Sequence, residues 1–152
     1  MSNSILVPLL MAHTLAAIIW IGGMFFAYMA LRPAASLLEP PQRLTLWDAA
    51  FAKFFPWVWL SILTLFITGG GLMTNIKAPF VSVMIILGCI MAAIFVYLYF
   101  SPYKKLSSAV EAQNFLAAGE QLAKIRTMVG INLIIGLILA AVATTGRYWL
   151  MT

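Results

Sequence analysis

Charge is scarce in this chain: 9% of its 152 residues are Asp, Glu, Lys or Arg, where a soluble domain carries about a quarter. That deficit excludes a surface wetted on all sides. The 64% hydrophobic content and the mean hydropathy of +1.03 place the chain in lipid. Cysteine is nearly absent too. Cys89 stands alone in an apolar run, so no intramolecular disulfide exists and cysteine says nothing of the redox compartment. The acids are only Glu39, Asp48, Glu111 and Glu120, all between apolar runs. The lack of a carboxylate inside such a run argues against a carboxylate proton relay. There is no HExxH, CxxC, Walker loop or GxGxxG, which excludes hydrolytic and nucleotide-driven enzymes. The N-terminus lacks the basic region and the A-x-A site of a signal peptide.

What remains is dominated by four long apolar runs, each able to cross a bilayer core that needs about 20 helical residues. They cover 5–31, closed by Arg32-Pro33, then 54–73, then 80–100, closed by Ser101-Pro102, and 128–149. Pro8, Pro56 and Pro79 fall near helix starts, where a missing N–H costs little. The expected fold is all-α, a single domain over 1–152 forming an integral membrane antiparallel four-helix bundle.

The net charge of +5 is distributed unevenly. Arg32, Arg43, Lys53, Lys104, Lys105, Lys124 and Arg126 lie in the first and third connections, against Lys77 and Arg147 on the other side. The positive-inside rule puts the richer side in the cytoplasm and both termini outside, in a cell inner membrane. Basic residues flanking spans, rather than a patch interleaved with polar readers, argue against nucleic acid. Trp149 and Tyr148 at one end, with Trp47 and Tyr103 near the other, suit interfacial belts.

The first inner connection carries Leu44, Trp47, Phe51 and Phe54 at close to helical spacing, which predicts an amphipathic helix on the membrane surface running into the second span. Residues 107–126 extend the third and fourth helices, with a break expected near Gly119. No internal repeat stands out. Small residues line the expected contacts: Ala12, Ala16, Gly23 and Ala27; Ser61, Thr64 and Thr68 ahead of Gly69-Gly70-Gly71; and Asn132, Gly136, Ala140 and Thr144. Such stripes let helices approach closely in lipid, and make a homodimer feasible as well. Bare backbone at Gly69, Gly70 and Gly71 also offers a resting place for a flat macrocycle.

His13 is the only histidine, roughly 12 Å along the first helix from Ile5. Ionisable side chains at such depth face the bundle interior and often mark a site. Neutral imidazole is the commonest transition-metal ligand and a haem ligand. The plainer role, a hydrogen bond to a hydroxyl or carbonyl on a neighbouring helix, stays open beside it. Counting inward from the outer ends puts Met84, Thr68 and Thr144 or Thr145 in the same layer. Met84 offers a thioether, a soft donor for Cu(I) and an axial partner for haem iron. Met91 follows it on the same face, with Cys89 nearby, while Trp20 and Met24 share the His13 face deeper in. Most of the nine methionines fill gaps between helices. With a single histidine, one chain cannot form a bis-histidine haem site.

The segment His13-Thr-Leu-Ala-Ala-Ile-Ile-Trp20-Ile-Gly-Gly-Met-Phe-Phe26, followed by Leu31-Arg32-Pro33, resembles the first-helix signature of the CopD-type copper-resistance membrane proteins. The aromatic entry Phe54-Phe55-Pro56-Trp57, the run from Arg126 to Asn132 and Gly136 are similar to that family as well. The resemblance implies a four-helix inner-membrane unit in copper uptake or tolerance. HemJ-type protoporphyrinogen oxidases share the histidine, tryptophan and glycine at matching spacing, which implies b-haem binding through His13. That match departs at Met29, where an arginine is expected, near Ala34, where a second histidine is expected, and at Lys77, the only candidate for an early third-helix lysine.

Three roles follow as expectations. The first is a CopD-like protein handling copper through a metal site of His13 and Met84, by ligand exchange rather than catalysis. The second is a redox protein with haem b, His13 as axial ligand and Gly69 to Gly71 as the seat of the ring. The third is a non-catalytic anchor or partner subunit.

Overall fold

A computed structural model describes residues 3–73, 79–146 and 148. Four helices are long and apolar enough to cross a membrane: α1 (Ser4–Ala35), α2 (Pro40–Met73), α3 (Phe80–Glu111) and α4 (Phe115–Thr145). No strand occurs among the described residues. The chain is a multi-pass membrane protein, an all-α four-helix bundle. Lys77, Arg147 and Trp149 lie outside the described residues.

The helices outrun the bilayer. At 1.5 Å per residue the 34 residues of α2 span about 51 Å, against a hydrocarbon core of about 30 Å. The excess lies at the end that carries Arg32, Arg43 and Arg126, called here the basic end. There the helices pack on one another beyond the lipid. Leu44, Trp47, Phe51, Leu106, Ala118, Leu122 and Ile125 are all 0–5% exposed. The helix expected on the membrane surface therefore exists, and runs unbroken into the second span. Its apolar face, however, turns to the protein, because α3 and α4 extend alongside and bury it.

Two helices widen into a π turn near the basic end, at Ala27–Leu31 and at Tyr99–Tyr103. The Arg32 N–H bonds the Ala27 carbonyl five residues back. Each widened turn lies at or just before a proline, Pro33 or Pro102, whose ring crowds the carbonyl four residues earlier and donates no N–H. Both helices continue past that proline rather than ending at it. The expected break near Gly119 falls instead at 112–114. There Gln113 takes φ 55 and Asn114 Oδ1 accepts the Ala117 N–H at 3.1 Å, capping α4. Gly119 lies within α4. The two halves share one plan that the sequence does not display: helix, widened turn with proline, short connection, long return helix.

The most extensive helix contacts join α1 to α2 and α3 to α4, with α4 also meeting α1 and α2. Glycines set these approaches. A Cβ at Gly136 would sit 3.1 Å from Ile21 Cγ1 and 3.2 Å from Met91 Cε, and one at Gly71 would sit 3.3 Å from Leu9 Cδ1. Phe54 lies directly over Gly23. Asn132, buried, donates from Nδ2 to the Met91 carbonyl at 3.2 Å and ties α4 to α3. The α2–α3 seam is closed by rings: Phe55 stands edge-on to Phe95 at 5.3 Å and to Tyr103 at 4.8 Å, and Trp59 to Phe95 at 5.3 Å.

Gly136→Val is expected to destabilise the bundle by about 1–3 kcal/mol through overpacking against Ile21 and Met91. Gly88→Ala, where nothing lies within 4 Å, should leave it unchanged. Thermal unfolding of the two variants in detergent checks both outcomes.

Candidate functional site

His13 is carried on the buried stripe of α1 that continues through Ala16, Trp20 and Met24. Helical spacing alone puts it there, facing α2. Its Nδ1 lies 2.8 Å from Thr68 Oγ1. The Thr68 hydroxyl has one proton, and it goes to the Thr64 carbonyl at 2.6 Å, the back-bond of a helical threonine. In the tautomer protonated at Nδ1, the ring donates to Thr68 and Nε2 keeps its lone pair. Among the described residues no hydrogen bond reaches it. A histidine that gives one N–H to a fixed acceptor and holds the other nitrogen free has the arrangement of a metal-ligating imidazole. It equally satisfies the need to pair a polar group in lipid.

The glycines of α2 divide in their roles. A Cβ at Gly69 would lie 3.5 Å from His13 Cε1, and Gly71 backs Leu9, so both face α1 and accept its side chains. Gly70 is exposed, with nothing within 4 Å. The tripeptide thus serves the α1–α2 approach and sets the imidazole against bare backbone.

Met84 is half-buried on α3. Gly136 touches both Ile21 and Met91, which fixes those two residues at one level. His13 lies about 12 Å from Ile21 toward the terminal end, and Met84 about 10.5 Å from Met91 in the same direction, so the two share a height on parallel helices. None of the described contacts joins them. Met91 is core, 2% exposed, and Cys89 is exposed. Thr144 and Thr145 turn their hydroxyls to carbonyls of their own helix and remain exposed. Of the residues expected in the His13 layer, the fold brings Thr68 into contact and leaves the threonines of α4 out. No cluster of three or more His, Cys, Asp or Glu side chains suited to a metal occurs among the described residues.

Sequence reasoning missed a second polar concentration, at the basic end, where Arg32, Arg43 and Arg126 line one groove. Their positions in sequence are far apart, and a reading of cations as topology signals does not join them. The available signal was Tyr28 four residues before Arg32, a helical stacking pair.

Comparison with family models, with characterised proteins and with solved structures finds no match to this chain.

Thr68→Val removes the acceptor for the imidazole N–H while keeping the shape. The expected cost is about 0.6–2 kcal/mol, the range for interhelical hydrogen bonds in membranes. Thr144→Val, whose hydroxyl serves only its own helix, should cost less in the same unfolding assay.

Proposed function

We propose that this chain is a CopD-like inner-membrane protein that handles copper, with its basic end in the cytoplasm and both termini outside. The observation that carries the reading is the His13–Thr68 pair. In the tautomer protonated at Nδ1, Thr68 takes the hydrogen bond, orients the half-buried ring and leaves Nε2 as an unprotonated donor. Copper is the cargo here. Cu(I) is soft and accepts imidazole and thioether together, and Met84 stands at the height of His13. Both donors are neutral, so binding adds only the ion's own charge to the bundle. Transfer then proceeds as ligand exchange, one donor leaving as another arrives, with no change of oxidation state. The clustering of Arg32, Arg43, Lys53, Lys104, Lys105, Lys124 and Arg126 at one end supports the orientation.

Haem b on His13 is the second reading and draws on the same Nε2. It is less well supported, because Gly69 and Gly71, the surface a ring would rest on, already receive His13 and Leu9. A bare anchor, with His13 merely satisfied by Thr68, is the third.

Cu(I) binding measured against a chromogenic Cu(I) chelator, with detergent-purified protein, separates them. Wild type is expected to retain one Cu(I), with affinity reduced at least tenfold by His13→Ala and measurably by Met84→Ala. Equal affinity in all three proteins would overturn the copper reading. A Soret band that shifts on reduction and vanishes in His13→Ala would put haem in its place.

A further inference from the structure

The basic ends of α1, α2 and α4 enclose an open groove of about 510 Å³, lined in part by Tyr28, Met29, Arg32, Ser36, Arg43 and Arg126. Three guanidiniums converge on it from three helices, and no carboxylate lines it. Burial, and then the neighbouring Arg32 and Arg43, push the Arg126 guanidinium below its ordinary range. Rings rather than ion pairs set two of the three side chains. Arg32 Cζ lies 4.9 Å from the Tyr28 ring centre, and Arg126 Cζ lies 5.8 Å from that of Trp47. Tyr28 itself rests on bare Gly130, where a Cβ would come within 3.1 Å of its Cε2. Arg126 Nε is buried, and no described residue accepts its proton.

Arg126 Nε shares that state with Trp47 Nε1, Asp48 Oδ1 and Asn132 Oδ1; buried polar groups in proteins mostly find partners, and gathered like charges cost stability unless an anion joins them. The chain supplies none at this groove. Guanidinium forks match the oxygens of a phosphate in pairs. The groove also sits at the right depth: Arg32 lies about 42 Å along α1 from Ser4, beyond the roughly 30 Å of hydrocarbon. Phe26 and Met29, both exposed, lead from the lipid side toward it. We propose that the groove between Tyr28, Arg32, Arg43 and Arg126 binds a single phosphate group, presented by the headgroup of an anionic phospholipid or by a soluble phosphate. The site is separate from His13, which lies about 28 Å away along α1, and does not depend on the copper reading.

The test uses the full chain in nanodiscs of phosphatidylcholine, with and without phosphatidylglycerol, and with inorganic phosphate added to the lipid-neutral discs. Arg32→Gln with Arg43→Gln is compared with Lys105→Gln with Lys124→Gln, an equal loss of charge at exposed positions outside the groove. Arg126 is left in place because it stacks on Trp47. Native mass spectrometry reads retained phosphatidylglycerol, and the thermal midpoint reads protection by either source. Each arginine removed is expected to weaken retention about fivefold, so about 25-fold for the pair, with little change in the lysine pair. Protection by phosphatidylglycerol alone assigns the site to a lipid headgroup. Protection by inorganic phosphate, lost in the arginine pair, assigns it to a soluble phosphate. Equal retention and protection in both double variants, or no effect of either ligand on wild type, would overturn the proposal. Arg43→Gln alone, from an unstacked position, provides the same comparison should the double variant unfold.

Discussion

The bundle depends on the aromatic column that joins its two hairpins. Within each hairpin, glycines and small residues allow α1 to lie on α2 and α3 on α4. Between them, lipid provides no hydrophobic drive, since hydrocarbon solvates a leucine as well as a neighbouring helix does. Rings supply contact area instead. Phe51 stacks on Phe55 at 5.0 Å with their planes 9° apart, and Phe55, Phe95, Tyr99 and Tyr103 then meet mostly edge to face. Trp20 reaches the same column from α1, 6.3 Å from Phe95. Most large buried side chains lie in this half of the molecule.

That distribution shapes both polar sites. Toward the terminal end, burial falls away, and the His13–Thr68 hydrogen bond joins α1 to α2. An imidazole placed there must give its proton to something, and the direction in which it gives decides which nitrogen remains available. At the basic end the helices pass beyond the lipid and gather cations that topology alone would have left scattered. The same extension that buries Trp47 places a stacked guanidinium over it.

The four spans were legible in the sequence because their apolar length has no soluble explanation. The His13 layer was legible in part: counting residues from the helix ends placed Thr68 beside His13, and that pair forms. Counting gives height and not azimuth, however. Thr144 and Thr145 therefore shared the expected layer yet turn to their own helix, and Met84 reaches the right height without a described contact. The amphipathic stretch from Leu44 to Phe54 showed a helix with one apolar face but not what covers it, since lipid and protein present the same chemistry to Trp47 and Phe51. The widened turns before Pro33 and at Pro102 were read as helix ends, because proline usually stops a helix and the compensating turn leaves no sequence mark. The arginine groove was hidden because its members come from three helices, with only Tyr28 and Arg32 close in sequence.

Copper binding at His13 requires a bare Nε2, and a single histidine makes that directly measurable. Nitrogen-15 spectra of the purified protein, labelled only in histidine, resolve the two ring nitrogens without assignment. The expected result is a neutral ring protonated at Nδ1, with an Nε2 resonance in the unprotonated range that moves when Cu(I) is added and the Nδ1 proton retained. A ring protonated at Nε2, indifferent to Cu(I), would contradict the account and leave His13 as a hydrogen-bonded strut between two helices.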